Sequence, residues 1–116
     1  MIQNLSKSQK KIVQRVMDKG MDNHFKQGLE RAEEIIKKWK NNEMKNQEAY
    51  MTLLEKLKSL SKHMSRLYDG KGSSHWTNIM AVQLADGVIS TQDIMELDPE
   101  IRDEIIKFSG TLQNED

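Results

Sequence analysis

At 116 residues, with 36% hydrophobic side chains, 31% charged ones and six glycines, the chain has the length of one domain but less apolar material than an ordinary domain contains. It has no cysteine, which excludes a disulfide framework, a thiolate metal site and a cysteine nucleophile. The formal net charge is zero, yet residues 1–68 carry 15 Lys and Arg against 8 Asp and Glu while residues 69–116 carry 3 against 10, a basic half at +7 followed by an acidic half at −7.

A chain of this kind buries a thin core, so it is expected to be elongated or to complete its core by pairing with another chain. The opening MIQNLSKSQKK lacks the apolar segment of a signal peptide, and no run approaches the ~18–20 apolar residues of a membrane span, so a cytoplasmic protein is expected. The opposed halves admit three readings. They fold against each other, they pair head-to-tail between copies, or the basic half faces an anionic partner; charge that merely solvates helices is the plain alternative.

In chain order, Ser6 or Ser8 can cap a first helix running to about Lys19. Ile12, Val13, Val16 and Met17 form its apolar stripe, and Gly20 is expected to end it. A second helix is predicted from Asp22 or Asn23 to about Lys40, with Phe25, Leu29, Ala32, Ile35, Ile36 and Trp39 at a three-to-four-residue period. Gly28 inside it is tolerated at roughly 1 kcal/mol relative to alanine, as where a neighbouring helix comes close. Asn41-Asn42 then breaks the pattern, and a tight turn is expected; the rival is one long helix over residues 22–68. From Asn46 to Tyr68 the period returns, with Tyr50, Leu53, Leu54, Leu57, Leu60, Met64, Leu67 and Tyr68 on one face.

Asp69-Gly-Lys-Gly-Ser-Ser74 reads as a loop, with Ser73 or Ser74 capping the next helix. Trp76, Ile79, Met80, Ala81, Val82, Leu84 and Ala85 make a short helix that is apolar almost all round and so belongs at a domain centre. Asp86-Gly87 closes it, Gly87 supplying the left-handed residue of a C-terminal cap. Ser90 caps a short helix over Thr91–Leu97, with Asp93 in the capping-box position and Ile89 and Ile94 placed to staple it. Asp98-Pro99 starts a last helix with Ile101, Ile105, Ile106 and Phe108 as its stripe, ending near Ser109-Gly110 before a polar tail, TLQNED.

The two turns are alike. Asn42-Glu-Met-Lys-Asn-Gln-Glu-Ala49 matches Gly87-Val-Ile-Ser-Thr-Gln-Asp-Ile94 in pattern: a helix ending at Asn or Gly, an apolar residue, then a new helix with an acid at its third position. This pattern resembles the helix–turn–helix hairpins of short bacterial C-terminal oligomerisation modules of the SHOCT type, and the resemblance implies a pairing or scaffolding role.

Catalytic chemistry has no constellation to rest on. Asp86-Gly-Val-Ile-Ser90 imitates the middle of an EF-hand loop, but the first and third ligand positions would be Val82 and Leu84, which cannot hold a hard cation. In the Gly-rich loop Lys71 is followed by Gly72, and no strand precedes it, so it is a linker and not a phosphate loop. His24, His63 and His75 have no His, Asp or Glu at metal-ligand spacing. Nucleic-acid binding has one argument in its favour: Lys7, Lys10, Lys11, Arg15 and Lys19 could meet phosphates, joined by Lys37, Lys38 and Lys40. A helix-turn-helix around Gly87 would present an acidic recognition helix, which the phosphate backbone repels.

The expected fold is all-α, a small helical bundle in which a long N-terminal helical hairpin packs on a C-terminal three-helix unit. It is expected as a single domain over 1–110, a basic half at 1–68 and an acidic half at 75–108, with 111–116 as a flexible tail. The expected function is that of a small non-enzymatic interaction protein, a regulator or adaptor that self-associates or binds another protein, with Trp39 and Trp76 as candidate partner contacts. The alternative is an accessory nucleic-acid binder using Lys7, Lys10, Lys11, Arg15 and Lys19. No catalytic, cofactor or metal residues, no membrane contact and no small-molecule substrate are expected.

Overall fold

The computed structural model describes residues 5–69 and 76–113. Those residues form four α-helices and one 3-10 helix, in the order α1 (Lys7–Lys40), α2 (Asn46–Tyr68), α3 (Trp76–Ala85), the 3-10 helix (Thr91–Ile94) and α4 (Pro99–Gln113). The expected all-α bundle is what is found, with α1 packed on α2 and α3 on α4. The Gly70–Ser74 linker, the Ser73 or Ser74 cap, His75 and residues 114–116 lie outside the described residues.

Two compact units divide the chain. One combines α1 up to Asn23 with α3, the 3-10 helix and α4; the other is the hairpin of His24–Asp69. The division cuts across the two charge halves, because the first stretch of basic α1 belongs with the acidic helices.

The largest departure from expectation is at Gly20. The helix does not end there: α1 runs unbroken for 34 residues, merging the first two predicted helices. Gly20 is buried, and a Cβ on it would collide with the side-chain amide of Gln83 on α3. Glycine therefore marks a close helix approach here and not a helix end. Gln83 is fully buried and its Nε2 donates to the Met17 carbonyl at 2.9 Å, while Asn23 Nδ2 donates to the Val88 carbonyl at 2.9 Å. The start of α1 is sewn to the α3 turn on both sides of Gly20.

Val13 and Val16 of α1 join Met80, Ile89, Ile94, Leu97, Ile101 and Ile105 in one buried core, with Leu5, Ile12, Met17, Trp76 and Leu84 packed around it. Met80 and Ala81, at the middle of α3, have no exposed surface, as an all-round apolar helix requires. Ile89 and Ile94 both enter this core, consistent with the predicted staple.

The predicted turn chemistry appears twice. At the end of α1 the Asn42 N–H donates to the Trp39 carbonyl and the Glu43 N–H to the Lys38 carbonyl; at the end of α3 Gly87 donates to Leu84 and Val88 to Gln83. Asn42 has φ 64 and Gly87 φ 75, so each turn is a Schellman motif with its left-handed residue in place. The next helix is then begun by a carboxylate reaching back. Glu48 accepts from the Lys45 N–H at 3.4 Å, and Asp93 from the Ser90 N–H at 2.8 Å. The tight turn holds against the rival of one long helix, since a left-handed Asn42 cannot lie inside an α-helix.

Two further boundaries differ from the sequence reading. The segment expected as a helix over Thr91–Leu97 is only a four-residue 3-10 helix, because Asp98-Pro99 follows too closely for α-helical hydrogen bonding to propagate. The last helix, α4, does not stop at Ser109-Gly110 but continues to Gln113. Its buried face is Ile101, Ile105 and Ser109, not Ile106 and Phe108, which are exposed. Ser6 is the residue that caps α1, its hydroxyl accepting from the Gln9 N–H at 3.1 Å. Gln9, itself buried, reaches α4 and accepts from the Asp98 N–H at 2.9 Å.

Asp93 yields a pH prediction. Burial pushes its carboxyl up, but hydrogen bonds from the Lys19 ammonium and from the Ser90 N–H and hydroxyl, with the Lys19 charge, outweigh burial and hold it below its ordinary value. Stability from a lowered carboxyl is present above the unfolded value of about 4 and is lost as pH falls through the folded value. Asp93→Ala is expected to cost about 1 kcal/mol at pH 7, the worth of a cap with a partly exposed ion pair. Urea unfolding should show that gap narrowing below about pH 4; an equal gap at pH 7 and pH 3 would remove the carboxylate from the account.

Candidate interaction site on the hairpin

The hairpin of α2 with the second half of α1 buries one arc of apolar side chains and exposes another. Ile35, Ala49, Met64 and Leu67 are buried, and Gly28 lies so close to Leu60 that a Cβ would strike the Leu60 methyl. That contact is the neighbouring helix expected at Gly28. Beside this seam, Phe25, Leu29, Ile36 and Trp39 follow one another along α1 at spacings of four, seven and three. They are 58%, 73%, 40% and 42% exposed. Tyr50, Leu54 and Leu57 do the same along α2, Tyr50 at 68%.

Helical geometry puts each set about a quarter turn round from the α1–α2 seam, in the same rotational sense. For antiparallel helices this brings both sets to one side of the hairpin. A groove of about 320 Å³ on that side is lined by Ile35, Ile36, Trp39, Asn46, Ala49, Tyr50 and Leu53. The Trp39 indole is pinned at its edge, donating from Nε1 to Asn46 Oδ1 at 2.7 Å. The opposite side is polar, its groove lined by Arg31, Glu34, Lys38 and Lys56 with Ile35, Met44 and Thr52. One side of the hairpin is therefore apolar and the other charged.

The two candidate tryptophans part company. Trp39 stands at the open groove, whereas Trp76 is half-buried against the core of the first unit. The five candidate phosphate contacts also divide. Arg15 pairs with Glu96 at 2.7 Å and Lys19 with Asp93 at 2.6 Å, so these two cations serve the acidic stretch of their own chain. Lys7, Lys10 and Lys11 are exposed on the opening turns of α1. Lys37, Lys38 and Lys40 occupy its last turn, where cations are favoured by the helix dipole.

Sequence spacing also missed a histidine grouping. His24, buried in the hairpin unit, is hydrogen-bonded through Nδ1 to the Tyr68 hydroxyl at 2.6 Å, and its ring meets His63 edge-on at 5.7 Å. These residues are far apart in sequence and come together only because α2 runs back along α1. Phe25, Leu29, Tyr50, Leu54 and Leu57 were legible as apolar, but their exposure was not. The available signal was the width of the apolar arcs: a hairpin seam covers one side of each helix, and these arcs extend well beyond it.

Among the described residues no helix is long and apolar enough to cross a membrane. Compared with protein-family models, with curated proteins and with solved structures, the chain finds no match.

Proposed function

We propose that this is a non-enzymatic helical interaction protein, a cytoplasmic regulator or adaptor, which engages another protein chain through the apolar face of the α1–α2 hairpin. One observation carries the reading: Phe25, Leu29, Trp39 and Tyr50 all lie open to solvent on one side of the hairpin. An exposed apolar patch that includes three aromatic side chains and is bordered by charged residues has the make-up of a protein interface, where aromatics dominate binding. Incorporating a photoreactive phenylalanine at position 29 or 50 tests it. Protein adducts are expected from both positions and not from position 95, an exposed methionine of the other unit. Absence of any protein adduct at 29 and 50 would sink the reading.

A second reading, an accessory nucleic-acid binder, rests on Lys7, Lys10 and Lys11. Lys7 and Lys10 lie in a first turn that contains no acid, with Lys11 directly after it, where the helix dipole disfavours positive charge, so these cations contribute little to holding α1 together. Phosphate contacts of this kind give salt-dependent binding without sequence readout. Lys7, Lys10 and Lys11 all changed to Ala should then abolish a low-salt gel shift with duplex DNA. No shift by the parent protein, or one indifferent to the change, excludes it.

A further inference from the structure

We infer that the occupant of the hairpin face is a second copy of this chain, two hairpins closing face to face into a four-helix bundle. The inference rests on the interaction-surface reading above and names its partner. Two helices alone enclose little: apart from the seam residues, the large apolar side chains of α1 beyond Gly20 and of the first half of α2 keep between about a third and three quarters of their surface in water. Four-helix bundles solve this problem by putting a second pair of helices over the same face.

The size fits. At about 200 Å² for a fully open aromatic residue and somewhat less for leucine or isoleucine, the exposed fractions of the seven face residues amount to roughly 600–700 Å² per copy. A standard stable interface takes about 800 Å² from each partner, the remainder coming from the polar rim.

The rim charge fits a like partner better than any partner of one sign. On the outer border of the α1 stripe Lys26, Glu30, Glu33, Lys37 and Lys40 follow one another, so both signs are interspersed along it. An anionic lipid surface would meet Glu30 and Glu33 as well as the lysines, and a uniformly acidic or basic protein would meet repelling charges beside attracting ones.

Sedimentation equilibrium between 1 and 100 µM tests this. The chain of 13.5 kDa should sediment as a dimer of about twice that mass, twofold association being the commonest symmetric assembly. Leu29→Glu and Tyr50→Glu, at positions already open to solvent, should each weaken association at least tenfold with unchanged helical circular dichroism, and Met95→Glu should not. Charge reversal supplies a second test should either variant lose helix. Glu30→Lys with Glu33→Lys makes the rim basic, and Lys37→Glu with Lys40→Glu makes it acidic. Each double variant should self-associate more weakly than the parent, and mixing them should restore a mixed dimer by native mass spectrometry.

A monomeric parent chain at 100 µM overturns the inference. So does a dimer untouched by both face substitutions, or a monomer that instead sediments with vesicles of phosphatidylserine and phosphatidylcholine. If the parent is monomeric while photoreactive residues at 29 and 50 form adducts with a different protein, the interaction reading stands and the second copy is excluded. If no adduct forms either, both fail.

Discussion

Gly20→Ala should destabilise the protein by about 2–4 kcal/mol, although alanine in a helix interior is ordinarily better than glycine by about 1 kcal/mol. The reversed sign is the test. The added methyl would occupy the position of the Gln83 side-chain amide, and Gln83 has no exposed surface into which to swing. Moving it breaks the hydrogen bond from Nε2 to the Met17 carbonyl. Overpacking at about 1–3 kcal/mol and a broken buried hydrogen bond at about 1–3 kcal/mol together exceed the propensity gain. Gly28→Ala is the control. There the obstruction is one methyl at the far end of the half-buried Leu60 side chain, which gives way more cheaply than a buried amide, so the steric cost and the propensity gain should nearly cancel. Equal responses at the two glycines in urea unfolding would mean that the α1–α3 approach is not as close as described. Replacing Gln83 by Ala in the Gly20→Ala background should recover part of the loss, since the two residues are in contact and their effects cannot add.

The second large effect concerns adjacent residues of α4. Ile105→Ala should cost about 2–5 kcal/mol, because Ile105 is wholly enclosed in the core with Val13, Val16 and Met80 and its loss leaves a cavity. Ile106→Ala should cost under about 1 kcal/mol, as Ile106 remains 39% exposed and surface substitutions seldom exceed that range. Thermal or urea unfolding of the two variants reads the rotational setting of α4 directly. If Ile106 proves the costlier residue, α4 is turned by about 100° from the setting described, the angle between successive helical residues. Because an Ile pair at adjacent positions satisfies either setting, periodicity alone does not distinguish them. Ser109 decides it: a serine at 3% exposure lies on the buried face four residues beyond Ile105, a position that a search for apolar side chains passes over.

The charge division has the same character. The counts of +7 and −7 are plain from the sequence, and folding of the two halves against each other was one of three readings of them. Arg15–Glu96 and Lys19–Asp93 realise that reading within the first unit, between residues more than seventy positions apart. Both pairs have exposed cations, so each contributes at most about 1 kcal/mol. They give two of the five candidate phosphate contacts an acidic partner within the chain itself.

What the sequence alone determined is local. The ends of α1 and α3, the start of α2, the Ser90–Asp93 box and the start at Pro99 all follow from hydrogen bonds and backbone dihedrals confined to about six neighbouring residues, and those residue types impose the same geometry wherever they occur. What only the tertiary structure decided is which partner each surface meets. That Gly20 lies inside a helix, that α4 buries Ser109 and not Phe108, that His24 meets Tyr68, and that Leu29 and Tyr50 stand in water all depend on elements distant in sequence. A side chain's chemistry states that it prefers to be covered, but whether anything covers it is set by the packing of the rest of the chain.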